Sequence, residues 1–173
     1  MAVTASITNP LRGDKAWAYL ERQKTIRIAS TNEDGGLYLT PLWYVVDDQR
    51  LFVSIDAGGR HGINATHGRP VAGLVDAGDE FVTVSGIRIL GSLSLVEDAS
   101  HYEHLQKLVF DKYFHVGHPY AEQYFEFGIF AGRRYYQFVT EKMIGWDVRE
   151  TTMPALPEAR VLPDFVTDRL LDD

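Results

Sequence analysis

The chain contains no cysteine. Disulfides, thiolate nucleophiles, iron–sulfur clusters and cysteine-ligated zinc are therefore excluded. Long hydrophobic runs are missing too: nowhere do about 18 apolar residues follow one another, the length a membrane-spanning helix needs, so no membrane partner is expected. The opening Met-Ala-Val-Thr-Ala-Ser-Ile-Thr-Asn-Pro lacks a basic segment followed by an apolar core. No signal peptide is expected on that ground, and the cytoplasm is the default location. Basic residues are the minority charge, 17 against 24 acidic, for a net charge of −7. That balance argues against non-specific binding to nucleic acid or to anionic lipid. Repeats and low-complexity blocks are absent. The glycine pairs Gly35-Gly36 and Gly58-Gly59 do not make a G-x-G-x-x-G after a strand, which removes the dinucleotide fingerprint. Asp47, Asp48, Asp76 and Asp79 are turn residues first, and no carboxylate pair stands out as an acid–base dyad.

What is present is 173 residues of ordinary globular composition, enough for one domain with a substantial core. The composition changes after Trp146. Residues 1–150 are expected to form the domain and 151–173, with Pro154, Pro157 and Pro163, a carboxy-terminal tail.

The apolar pattern predicts a short helix over Lys15–Gln23 capped by Asp14, with Trp17 and Leu20 on one face. Strand one follows at Thr25–Thr31, then a turn at Asn32–Gly36. Strand two, Leu37–Val46, carries Pro41, which removes a ladder donor and predicts an edge or an interruption. Asp47-Asp48-Gln49-Arg50 turns it back into strand three, Leu51–Ile55. A helical segment, Arg60–Thr66, precedes strand four, Val71–Val75, and a long strand, Glu80–Leu95, with bends at Gly86 and Gly91. Ser100-His101-Tyr102-Glu103 reads as a capping box opening a helix through Tyr113. Gly117-His118-Pro119 breaks it, Tyr120–Phe127 adds a turn or two, and Arg133–Asp147 forms the last strand. The sum is a mainly β (α+β) fold, a six- to seven-stranded antiparallel barrel with peripheral helices.

The stretch Trp43–Asn64 carries the chemistry. Strand three ends on Ser54, then come a glycine turn and Arg60. A hydroxyl, backbone amides and a guanidinium at a strand exit suit a phosphate monoester. Beside an aromatic hairpin, such an anchor is what a flavin nucleotide requires. Trp43 and Tyr44 alternate, so one is expected to face the core and the other a ligand or a dimer seam.

These residues resemble the pyridoxamine 5′-phosphate oxidase-like superfamily, the FMN-binding split β-barrels. The resemblance spans about Ala16 to Arg149. Its carriers are Ile28-Ala29-Ser30-Thr31, Thr40-Pro41-Leu42-Trp43-Tyr44, Leu51-Phe52-Val53-Ser54, Arg60-His61-Gly62-Ile63-Asn64, Val84-Ser85-Gly86 and Ile144-Gly145-Trp146-Asp147. It implies a homodimer with cofactor sites at the interface and a small-molecule substrate. Thr40, Pro41, Leu42 and Trp43 would lie beside the isoalloxazine, Ser54 and Arg60 would hold the phosphate, and Asn64 would support their turn. His61 is placed with this cofactor-contacting set, and Trp146 would close the site from the same or the partner subunit. The sequence after Trp146, Asp-Val-Arg-Glu-Thr-Thr-Met-Pro, is not the basic substrate motif of the true pyridoxamine phosphate oxidases. The Gly145-Trp146-Asp147 ending looks closer to the flavin and deazaflavin oxidoreductase branch. FMN-dependent hydride transfer is the first reading. A deazaflavin coenzyme is the second, and a non-catalytic flavin- or haem-binding protein is the third. No residue is assigned a catalytic role. His101-x-x-His104 and His115-x-x-His118 read as surface or interface histidines rather than metal ligands.

Overall fold

Residues 11–80 and 83–150 are described in the computed structural model of the protein. Helix α1 (Asp14–Arg22) leads into strands β1 (Thr25–Thr31), β2 (Leu37–Asp47) and β3 (Arg50–Ile55). Helix α2 (Arg60–Thr66) connects to β4 (Val71–Ala77) and β5 (Ser85–Leu95). Helices α3 (Ala99–Tyr113) and α4 (Ala121–Phe130) precede β6 (Arg134–Asp147), which runs into a short 3₁₀ turn, Val148–Glu150. The strands close into an antiparallel barrel in the order β1-β2-β3-β6-β5-β4. Closure leaves the barrel without a free sheet edge along most of its length.

Alternation sets the faces. In β1, Ile26, Ile28 and Ser30 are buried inside the barrel while Arg27 points out, as the period of two requires. The inner core joins Ile26, Ile28, Tyr44, Leu51, Val53, Ile87 and Ile89 to Leu11, Ala16 and Leu20 from the α1 side. A second core lies outside the barrel wall, where Leu105 and Val109 of α3 cover Val45, Phe52 and Tyr135. Each such fully buried side chain stabilises by about 1.5–3 kcal/mol relative to exposure.

The two short helices stop opposite ends of the barrel. Helix α1 buries Ala16, Tyr19 and Leu20, and its end accepts a 2.6 Å hydrogen bond at the Leu20 carbonyl from the Tyr44 hydroxyl. Helix α2 buries His61, Gly62 and Asn64. Gly62 allows the close approach there, since a Cβ would stand 2.8 Å from the Tyr136 hydroxyl.

Strand β2 has two different halves. Tyr44–Asp47 pair with β3, and Asp48 and Gln49 close the hairpin with φ of 47° and 55°, the positive pair that a type I′ turn needs. Leu37–Trp43 pair with β1 alone. Pro41 lies in this one-sided half, so its missing donor leaves the strand continuous rather than interrupted. Along β5 the ladder to β6 shifts between Leu90 and Gly91. A Cβ at Gly91 would fall 1.9 Å from the Val139 carbonyl oxygen, so the bulge admits only glycine.

Two expected caps differ. Gly13, not Asp14, holds the N-cap of α1, and no side chain bonds there. The N-cap of helix α3 lies two residues before the expected Ser100, because the Asp98 carboxylate accepts the His101 amide at 2.7 Å and the Ser100 hydroxyl at 2.6 Å. Asp98 reaches these donors first, and a carboxylate outbids a serine hydroxyl at such a position. The long strand also begins later than Glu80, because the Thr83 hydroxyl and amide fold back on Glu80. The expected tail, 151–173, lies outside the described residues. No helix among the described residues is long and apolar enough to cross a membrane.

Candidate functional site

Beyond Tyr44 and Val53 the β2–β3 ladder stops, and the strands part at the end of the barrel that α2 closes. The gap is an open cleft of about 300 Å³. One wall is the one-sided half of β2, with Tyr38, Thr40, Pro41, Leu42 and Trp43. The other is the exit of β3 and the start of α2, with Ser54, Asp56, Gly59, Arg60 and His61. Tyr124 of α4 and Arg133 finish it.

Trp43 and Tyr44 divide as their alternation requires. Tyr44 is 1% exposed, whereas Trp43 is 37% exposed at the cleft. The Trp43 indole is held by Tyr113, stacked at 4.2 Å and 5°, and by Tyr124 at 5.1 Å. Tyr113 is locked in turn: its hydroxyl donates to a β2 or β1-edge carbonyl, with the Tyr44 oxygen at 2.7 Å and the Lys24 oxygen at 2.8 Å, and accepts the Tyr44 amide at 2.9 Å. The aromatic wall is thus rigid and preformed.

The charged groups of the cleft are in different states. Arg133 donates to the Asp56 carboxylate at 2.7 Å and lies over the Tyr124 ring at 4.4 Å. Arg60 is exposed and makes no ion pair or hydrogen bond with any described residue, and the Ser54 hydroxyl is equally unengaged. Both therefore remain available to a ligand.

His61 is 2% exposed and uses both ring nitrogens inside the chain: Nδ1 is 2.8 Å from the Ser30 hydroxyl and Nε2 is 2.8 Å from the Thr40 hydroxyl. It lines the cleft floor but has no nitrogen to spare for a phosphate. Burial pushes its pKa down from the ordinary value. Asn64 does not face the cleft. It is 1% exposed behind His61, bonded to Ser30, Asn32 and Arg69, which ties α2 to the end of β1. Trp146 is elsewhere: it packs over Gly86 near the end of β6, whereas Ser54 pairs with Tyr135 near its start. Within one chain Trp146 does not border this cleft.

Of the lining residues that the sequence reading left out, Tyr38 could have been found from its i,i+2 spacing to Thr40 on one strand face. Tyr124, Asp56 and Arg133 come together only through tertiary packing. The other histidines are spent elsewhere. His101 and His104 face the Asp47 carboxylate at 3.5 and 3.1 Å, while His115 and His118 contact each other edge-on at 5.2 Å.

The family model described as pyridoxamine 5′-phosphate oxidase matches residues 13–143, the segment that builds the barrel and the cleft. The chain belongs to this family. Its fold is shared with a conserved hypothetical protein of Mycobacterium tuberculosis, at 21% identity and a TM-score of 0.70, covering 91% of this chain and 97% of that one. The haem storage protein HutZ of Vibrio cholerae follows the same fold at 13% identity and a TM-score of 0.63, over 79% of this chain and 96% of its own. An FAD-binding protein of Mycobacterium smegmatis does so at 13% identity and a TM-score of 0.55, over 78% and 95%. No curated protein matches the sequence.

Proposed function

We propose that the protein is an FMN-dependent oxidoreductase that works as a homodimer on a small organic substrate. One observation carries the reading: Arg60 and Ser54, whose side chains have no hydrogen-bond partner among the described residues, share a cleft with a rigid aromatic wall. A guanidinium beside a hydroxyl matches a phosphate monoester, and Arg60 can bind it in bidentate fashion. Trp43, Leu42 and Pro41 offer the apolar edge along which a tricyclic ring can lie. A guanidinium and an apolar wall in one cleft suit an anionic tail joined to a flat ring.

Bound flavin supplies hydride chemistry that no side chain of this protein has. The residues of the chain bind, orient and shield. Arg60 and Ser54 fix the phosphate end, the β2 wall fixes the ring plane, and the Arg133–Asp56 pair holds α4 and Tyr124 over the opening. Orientation of this kind is what hydride transfer chiefly demands of a protein.

The dimer is part of the proposal. Leu37 is 76% exposed, Leu39 62% and Ile63 38%, all at the end of the barrel where the cleft opens. A second copy covering them would also shut the cleft from water, and its Trp146 could then approach a site its own chain does not reach. Nothing in the cleft favours haem through His61, whose nitrogens are both engaged.

Titration of the purified protein with FMN, riboflavin, a deazaflavin coenzyme and haemin tests the reading. FMN should bind more tightly than riboflavin, and Arg60→Ala should erase that difference. A protein that stays colourless with FMN overturns the assignment, and preference for either of the last two ligands replaces it. Oxidation of a reduced nicotinamide by the FMN-loaded protein, followed by absorbance, separates an enzyme from a carrier.

A further inference from the structure

Behind the cleft a file of buried polar side chains runs from Arg69 to Thr40, and its hydrogen bonds can be oriented in only one direction. Arg69 can donate but never accept. Its guanidinium lies 3.0 Å from Asn64 Oδ1, which fixes that amide with its oxygen toward Arg69. Asn64 Nδ2 must then donate to the Ser30 hydroxyl at 2.8 Å. The Ser30 oxygen accepts there, so among the described residues its own proton has one acceptor in hydrogen-bond contact, His61 Nδ1 at 2.8 Å. Nδ1 therefore carries no proton, and the neutral imidazole holds its proton on Nε2. That N–H donates to the Thr40 hydroxyl oxygen at 2.8 Å. Ser30, His61 and Asn64 are each 2% exposed or less, which denies water the chance to reset any link.

We propose that this file sets the polarity of the cleft: Thr40 accepts from His61 behind it and so presents its own O–H to the ligand as a donor. Thr40 is then a specificity determinant that selects a ligand acceptor, such as a carbonyl oxygen or an unprotonated ring nitrogen, over a donor at the same place. Asn64, Ser30 and His61 are positioning residues acting through it. The opposite tautomer reverses the outcome. With the proton on Nδ1, the Ser30 proton would be buried without an acceptor, and Thr40 would have to spend its own proton on Nε2.

The part concerning the bound ligand rests on the FMN reading, and the experiment separates the two. Long-range ¹H–¹⁵N correlation spectra of the ligand-free protein at pH 7 report the His61 ring directly. The expected pattern is a protonated Nε2 and a bare Nδ1; a protonated Nδ1, or a doubly protonated ring, overturns the proposal. FMN titrations then compare the natural protein with Thr40→Ser and Thr40→Val. Serine should keep the affinity, and valine should weaken it roughly 3–10-fold, the range for one neutral hydrogen bond. Equal affinity for all three overturns the claim that Thr40 reads the ligand. If the natural protein binds no FMN, the flavin reading falls, and the ring tautomer alone decides the polarity of Thr40.

Discussion

The two halves of β2 make an instructive pair. From Tyr44 to Asp47 the strand pairs with β3, and Tyr44 and Val45, on opposite faces, are both covered: Tyr44 is 1% exposed and Val45 2%. From Leu37 to Trp43 it pairs with β1 instead, Leu37 and Leu39 are bare, and Tyr38, Thr40, Pro41, Leu42 and Trp43 line the cleft. One continuous strand thus serves the core at one end and walls the cleft at the other. The cleft begins where the ladder to β3 ends, because there side chains on a rigid element have room beside them.

Substitutions can break that contrast, and the largest effect is expected in the half paired with β3. Tyr44→Ala removes a fully buried ring and its bond to the Leu20 carbonyl, and should cost about 3–5 kcal/mol in urea unfolding. A loss near that seen at an exposed site would mean the paired half is not core. In the open half, Arg60→Ala should leave unfolding in the absence of ligand unchanged. Its FMN affinity should fall roughly 10–100-fold, equivalent to about 1.5–3 kcal/mol for a hydrogen bond to a charged group. Fluorescence titration reads this directly, and unchanged affinity would remove the phosphate anchor from the argument.

A smaller effect belongs to the junction under the open half. Burial holds His61 below its ordinary pKa, so between those two values the unfolded chain binds a proton that the folded chain refuses. Its contribution to stability is complete above about pH 6.5 and is lost as the pH falls from there through the folded value. One proton limits the slope to about 1.4 kcal/mol per pH unit. Unfolding midpoints measured from pH 7.5 down to pH 5 should show this slope in the natural protein and a flatter one in His61→Gln. The smallest effect on folding should come from Leu39→Ala, within about 0.5 kcal/mol in the monomer. Leu39→Asp sharpens the same point, since it should disperse a homodimer in sedimentation measurements while the monomer fold persists. A dimer unmoved by aspartate would place the interface elsewhere.

Much of this fold can be read before any coordinates, for reasons that particular residues make plain. β1 over Thr25–Thr31 and α2 over Arg60–Thr66 match their expected bounds, because alternation and turn residues act locally. Pro41 pointed to an edge or an interruption, and the strand there pairs with β1 alone; of the bends expected at Gly86 and Gly91, the ladder to β6 shifts at Gly91. The caps were less legible. Asp98 and Ser100 both suit an N-cap, and only the position of the first turn decided for Asp98. In the cleft, Trp43, Ser54 and Arg60 were recognisable from one contiguous stretch. Tyr124, Arg133 and Asp56 were not, since they lie far apart in sequence and meet through α4 packing.

By itself the sequence determined the alternation of the strands, the hairpin that returns β2 to β3, and the residue types available to hold an anion, because each depends on neighbours within a few positions. Only the tertiary structure decided that Arg60 stays unpaired among the described residues while Arg133 does not, and that Trp146 packs against Gly86, away from the cleft. It also decided that His61 is committed on both sides. Partnership between distant groups depends on which of them the closed barrel brings within hydrogen-bond reach, and no local pattern carries that information.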